Sequence, residues 1–131
     1  MGEIALLERL LDSVIIIDHL NNVPQAMEFL LGLAPERTAI SVISYAEILT
    51  GLDEAGEIKA RPLLHSFEML EIDAAVAEKA AALRRQHGWK LPDAFQAALA
   101  ITHDIMLCTR NTKDFSPRKH PFIEIPYILK K

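Results

Sequence analysis

Cysteine is nearly absent from this chain, with one, Cys108, in 131 residues. A single thiol excludes an intramolecular disulfide and any zinc site built from several cysteines. Within the apolar run "IMLCT" it reads as a small core residue. The five histidines, at 19, 65, 87, 103 and 120, are scattered, and no pair stands at metal-ligand spacing. No apolar run approaches the roughly 18 residues that a membrane span needs. The N-terminal "MGEIALLERLLD" carries acids where a signal peptide would carry a basic region, so the expected location is the cytoplasm, with no membrane partner. Internal repeats and linker-like stretches are also missing, and the length suits a single domain, residues 1–131.

Positive charge is scarce as well. The net charge of −4 at first argues against a polyanionic partner, but its distribution is uneven. Residues 1–104 hold 8 basic and 16 acidic side chains, whereas residues 105–131 hold 6 basic (Arg110, Lys113, Arg118, Lys119, Lys130, Lys131) and 2 acidic (Asp114, Glu124). A locally basic tail beside an acidic body fits either a phosphate-facing rim or a solvated C-terminal loop. Half of the residues are hydrophobic and 24% are charged, the balance of a globular chain able to bury a core.

Periodicity and punctuation divide the chain into alternating strands and helices. "RLLDSVIII" predicts a buried strand that turns at Asp12 and Ser13 into a helix reaching about Leu20, and a second helix covers roughly Pro24 to Leu33. Thr38 to Ile43 is β-branched and predicts a strand, followed by a helix ending near Gly51. Residues 55–67 read as helical, Glu68 to Ile72 as a short strand, and Asp73 as the cap of a helix from Ala74 to about Gln86. "KLPDAFQAALA", Lys90 to Ala100, starts the next helix, with Pro92 suited to its first position. Ile105 to Thr109 is a strand, "RNTKDFSPRKHP" a loop, and "FIEIPYI" a last strand that Pro126 confines to an edge. Strands and helices alternating at this spacing predict a three-layer α/β/α sandwich around a mostly parallel sheet, whose ligands bind beyond the carboxyl ends of the strands.

Acids recur at those ends. Asp12 follows the first strand, Glu47 lies four residues after the second, and Asp93 opens an otherwise apolar helix. Each has an ordinary explanation. Asp12 and Asp73 suit helix caps, Ser44 and Glu47 match the S-x-x-E capping box, and a first-turn acid such as Asp93 is kept ionised by the helix N-terminus. Taken together, Asp12, Glu47 and Asp93 at one end of a sheet would repel unless a cation lay among them, and their hard oxygens suit Mg²⁺ or Mn²⁺. The residues alone leave both readings open.

"LLDSVIIIDHL", "SVISYAEILTGL", "LEIDAAVAEKAAALRRQHGWKLPDAFQAALA" and "LCTRNTKDF" resemble, in that order, the successive motifs of PIN-domain proteins, in particular VapC-type toxins. The resemblance runs from about Leu10 to Tyr127. It implies a small metal-dependent endoribonuclease of a toxin–antitoxin pair, often a homodimer, held inactive by a cognate antitoxin. Position by position, it assigns Asp12, Glu47 and Asp93 to the catalytic metal site. Many relatives carry a fourth acid where this chain has Asn111, which leaves Asn111 near the metal through its amide oxygen and Asp114 to support the loop or a second, weaker site. Val14 replaces a common small polar residue, Ser13 and Thr109 are supporting hydroxyls, and Asp18 is structural.

In that reading a Mg²⁺ or Mn²⁺ ion activates water and polarises an RNA phosphate, and cleavage leaves a 5′-phosphate and a 3′-hydroxyl. Arg110, Lys113, Arg118 and Lys119 would steer the RNA backbone. Tyr45 and Trp89 are possible base-stacking aromatics, for which ordinary packing is the stronger alternative. Met27, Phe29 and Leu30 with Leu49 and Leu52 form either an apolar partner face or plain core. Two other functions compete: a catalytically weak PIN-like binding module, and a receiver-type signalling domain. The receiver would want an adjacent acidic pair after its first strand, which "LLDS" lacks.

Overall fold

The computed structural model describes residues 6–129. Residues 1–5 of the acidic N-terminal stretch, and Lys130 and Lys131 of the basic tail, lie outside the described residues. Five strands, β1 (Arg9–Leu11), β2 (Thr38–Ser41), β3 (Glu68–Leu70), β4 (Met106–Cys108) and β5 (Ile123–Glu124), form one sheet in the order β3-β2-β1-β4-β5. Every pairing is parallel. Six helices connect them: α1 (Ser13–Leu20), α2 (Pro24–Leu31), α3 (Val42–Thr50), α4 (Glu54–Ser66), α5 (Ala74–His87) and α6 (Leu91–His103).

Alternation along the strands sets the layers. Leu10, Ala39 and Leu107 face one side, where α5 and α6 supply Val76, Ala80, Leu83, Ala94, Ala97 and Ala98. Their neighbours Leu11, Ile40 and Cys108 face the other side, against Ile16, Ile48, Ala60 and Leu64 of α1, α3 and α4. The result is an α/β/α sandwich. Small side chains on α6 let that helix lie close to the sheet, which fixes where its first turn ends up. Cys108 is fully buried and burial pushes its thiol pKa up, so it is a core residue.

The chain winds outward from β1 to β2 and β3, then returns to place β4 on the other side of β1. The crevice between the carboxyl ends of β1 and β4 is therefore the switch point where such sheets bind ligands. The order 3-2-1-4-5 differs from the 2-1-3-4-5 order of flavodoxin-like receiver folds.

Three local expectations need correction. The second strand ends at Ser41, and Val42 and Ile43 already belong to α3. Ser41 is the N-cap, its Oγ accepting from the Ser44 N–H at 3.0 Å, so Ser44 and Glu47 do not form the predicted capping box. Ser44 is thereby left with a buried hydroxyl inside the helix. Pro92 occupies the second helical position of α6 rather than the first. On the apolar face formed by α2 and α3, Phe29, Leu30, Leu49 and Leu52 pack against the core, while Met27 is more exposed.

Candidate active site

Asp12 emerges as β1 stops pairing with β4. Its N–H donates to the Cys108 carbonyl at 2.9 Å, continuing the ladder by one residue. Its carboxylate is then held by groups from three parts of the chain. Oδ1 accepts from the Ser13 N–H at 2.8 Å and, at 3.4 Å, from Nε2 of Gln96 on α6. Oδ2 accepts from the Thr109 hydroxyl at 2.8 Å, and that hydroxyl in turn accepts from the Asn111 N–H at 3.1 Å. Ser13 thus acts on Asp12 through its backbone and Thr109 through its side chain. Donors on both oxygens of a carboxylate fix its rotation.

Asp12, Glu47 and Asp93 line one cavity of about 450 Å³, together with Ser13, Val14, Pro92, Gln96, Arg110, Asn111, Thr112 and Lys113. Glu47 projects from the exposed side of α3, and Asp93 is half-buried in the first turn of α6. The pKa of Asp93 is raised to about 6, first by burial and then by the charges of Asp12, Asp114 and Glu47. The helix start, which favours the ionised form, is set here against burial and three neighbouring acids.

The loop after β4 is more tied down than its charge pattern implied. Arg110 makes a two-point ion pair with the buried Asp18, Nε to Oδ2 at 2.6 Å and Nη2 to Oδ1 at 2.9 Å, and Tyr127 donates its hydroxyl to the same Oδ2 at 2.8 Å. Asn111 folds back on Asp114. Its Nδ2 donates to Oδ2 at 3.1 Å, while its Oδ1 accepts the Asp114 N–H at 3.3 Å. The amide oxygen assigned to a metal from sequence is thus turned to the loop, and Asp114 helps to brace that loop while its charge still reaches Asp93. Lys113 is exposed at the cavity, and Arg118 and Lys119 are exposed farther along the loop. Trp89 packs in a cluster with His87, Phe115 and His120, and its Nε1–H donates to the Asp114 carbonyl at 3.2 Å. Tyr45 contacts His65 and Arg61. Gln96 was missed by sequence reading altogether, since one amide in an alanine-rich helix carries no signal of its contacts.

The donor set suits a divalent cation by its chemistry. Three carboxylates share a cavity, and the pKa of Asp93 is raised by burial first and then by the neighbouring charges of Asp12, Asp114 and Glu47, a repulsion that a cation would relieve. Among the described residues, no three acid, histidine or cysteine side chains already stand within reach of a common ion.

A family model described as the PIN domain matches residues 9–118. Ribonuclease VapC10 of Mycobacterium tuberculosis strain H37Rv is 31% identical over 112 residues, covering 81% of this chain and 84% of that protein. A toxin–antitoxin complex from Klebsiella pneumoniae contains a chain of similar structure, with a TM-score of 0.86 and 35% identity, covering 93% of this chain and 100% of that one. FitAcB from Neisseria gonorrhoeae is similar with a TM-score of 0.74 and 25% identity, covering 92% and 99%.

Proposed function

Because the chain belongs to the PIN domain family, we propose that it is a metal-dependent endoribonuclease, the toxin of a toxin–antitoxin pair, and that Asp12, Glu47 and Asp93 are its catalytic metal ligands. The observation that carries this reading is the convergence of those three acids on one cavity at the switch point between β1 and β4. Similarity to a ribonuclease supports the activity, and similarity to a chain of a toxin–antitoxin complex supports the partner. Mg²⁺ or Mn²⁺ is the expected ion, since the donors are hard oxygens.

Held by Asp12, Glu47 and Asp93, such an ion would lower the pKa of a water to make it a nucleophile and would stabilise charge on the scissile phosphate. The protein's part is positioning. Ser13 N–H and Gln96 Nε2–H on Oδ1 and the Thr109 hydroxyl on Oδ2 fix Asp12, and Oδ2 keeps a lone pair beyond these bonds. Glu47 and Asp93 close the site from α3 and α6. Lys113 lines the cavity, which supports a role for it in meeting an RNA phosphate, and Arg118 and Lys119, exposed farther along the loop, would extend that contact. Arg110 acts chiefly as an anchor, because Asp18 and Tyr127 hold it against the protein. Asn111 and Asp114 shape the loop. The chain works as a single PIN-like domain in the cytoplasm, paired with a second copy and restrained by a cognate antitoxin. No helix among the described residues is long and apolar enough to cross a membrane.

The test is cleavage of single-stranded RNA by the purified chain freed of antitoxin. Cutting is expected with Mg²⁺ or Mn²⁺ and not with EDTA, and Asp93→Asn should abolish it without loss of fold. Undiminished cutting by that variant would overturn the site. A competing reading is a metal-free binding module on this scaffold, since among the described residues no three acid, histidine or cysteine side chains already stand within reach of a common ion. Calorimetry with Mn²⁺ separates the two, since the binding module takes up no ion.

A further inference from the structure

Gln96 is 2% exposed, and so belongs to the interior, yet it lines the cavity that holds the acids. Its Nε2 donates at 2.7 Å to the hydroxyl of Ser44, a fully buried residue, and reaches Asp12 Oδ1 at 3.4 Å. Its Oε1 is buried with no hydrogen-bond partner. An unpaired buried acceptor weakens a fold, so stability alone does not explain an amide in a helix otherwise lined with alanines.

Spacing suggests what does. Residues three apart on a helix share a face. Ser44 therefore lies on the face of α3 that carries Glu47, and Gln96 on the face of α6 that carries Asp93. The Ser44–Gln96 bond joins the two helices one turn away from the two acids. α6 packs chiefly on α5, β1 and β4, so this bond is a direct polar cross-link from α6 to α3. The second proton of the same amide meets Asp12. One neutral group thus touches the elements that carry all three acids. Its neutrality matters, because a glutamate would add charge to a site where Asp93 already feels Asp12, Asp114 and Glu47. A lysine would set a fixed cation among the acids.

We propose that Gln96 is a positioning residue, whose amide sets the separation of Glu47 and Asp93 and fixes the rotation of Asp12. The proposal rests on the reading of these acids as a metal site for its functional half, and on geometry alone for the rest.

The experiment uses the full chain and the double variant Ser44→Ala/Gln96→Leu, which replaces both polar partners by apolar groups and leaves neither unpaired. Its melting temperature in EDTA should equal or exceed that of the wild type. Mn²⁺ binding measured by calorimetry should weaken by about 10- to 100-fold, the usual effect of removing a group that orients a ligand. Crystals of both proteins grown in EDTA should show a changed distance between Glu47 and Asp93 and a different Asp12 rotamer. Unchanged Mn²⁺ affinity with unchanged geometry overturns the proposal. So does a large fall in melting temperature with unchanged geometry, which would make the pair a packing element. If the wild type itself binds no Mn²⁺, the metal reading fails, and the two metal-free crystal structures alone decide whether Gln96 positions the acids.

Discussion

Replacing Asp93 by asparagine should make the metal-free protein more stable while destroying its activity. The wild-type side chain is held with its pKa raised from 3.8 to about 6, by burial first and then by Asp12, Asp114 and Glu47. An acid whose folded-state pKa exceeds its unfolded value binds its proton more tightly when folded. Stability at this site is therefore greatest in acid and declines as the pH rises from about 4 to about 6. At ~1.4 kcal/mol per pH unit, the full cost of ionisation would be about 3 kcal/mol. Asp93 is only half-buried, and screening by water and salt reduces this to roughly 1 to 1.5 kcal/mol. The helix N-terminus, which favours the charged form, returns about 0.3 to 1 kcal/mol. Asparagine should then gain somewhat under 1 kcal/mol at pH 8, or roughly 2 to 4 °C in melting temperature for a chain of this size. The assay is thermal unfolding of both proteins in EDTA from pH 4 to 8. The gain should appear only above about pH 5 and vanish near pH 4. Adding Mn²⁺ should reverse the order, because an ion present at about 100 times its dissociation constant stabilises the wild type by about 2.7 kcal/mol and the variant far less. A variant less stable than the wild type at pH 8 without metal, or an advantage that persists at pH 4, would refute the account of mutually repelling acids.

Asp18 should behave in the opposite sense. Arg110, by its hydrogen bonds, and Tyr127 hold its carboxyl below the usual range against the cost of burial, so its contribution is present above the unfolded value of 3.8 and is lost as the pH falls through its lower folded value. Asp18→Asn should cost about 1.5 to 3 kcal/mol in urea unfolding at pH 7, and a penalty that survived undiminished at pH 2.5 would exclude the ion pair as its source. Tyr127→Phe removes one bond to the same carboxylate and should cost about 1 kcal/mol, measured in the same way. Trp89→Ala should cost about 3 to 5 kcal/mol and slow RNA cutting, since the indole both fills the core and bonds the Asp114 carbonyl; wild-type cutting in a folded variant would separate the loop from the site. Lys113→Glu should weaken RNA binding and reduce its salt dependence by about one phosphate contact, read from affinity against log salt, whereas an unchanged slope would place the RNA elsewhere.

What the sequence made legible were features that local pattern decides. Asp12 and Asp93 stand where a strand or turn yields to a helix, and those junctions are marked by β-branched runs, by Pro92 and by alanine periodicity. The boundary at Ser41 was not legible in the same way. Val42 and Ile43 continue the β-branched run, and only the Ser41 cap and the packing of α3 against the sheet override it. The other omissions share a cause of a different kind. Arg110 meets Asp18 across 92 residues, and Gln96 meets Ser44 across 52 and Asp12 across 84. A count of charges in the tail records Arg110 as a free cation, although its partner is fixed by the fold rather than by its neighbours. Gln96 is the sharper instance, because its chemistry is neutral and its surroundings in sequence are bland. Its place can nevertheless be inferred once the two helices are known to converge. Glu47 and Asp93 each have a residue three positions away on the same face, Ser44 and Gln96, and helices that bring their acids to one cavity bring those residues together as well. Two ionised acids cannot form that bond with each other, since a carboxylate only accepts. A hydroxyl and an amide can, so the polar pair beneath the carboxylates holds together what the carboxylates themselves would push apart.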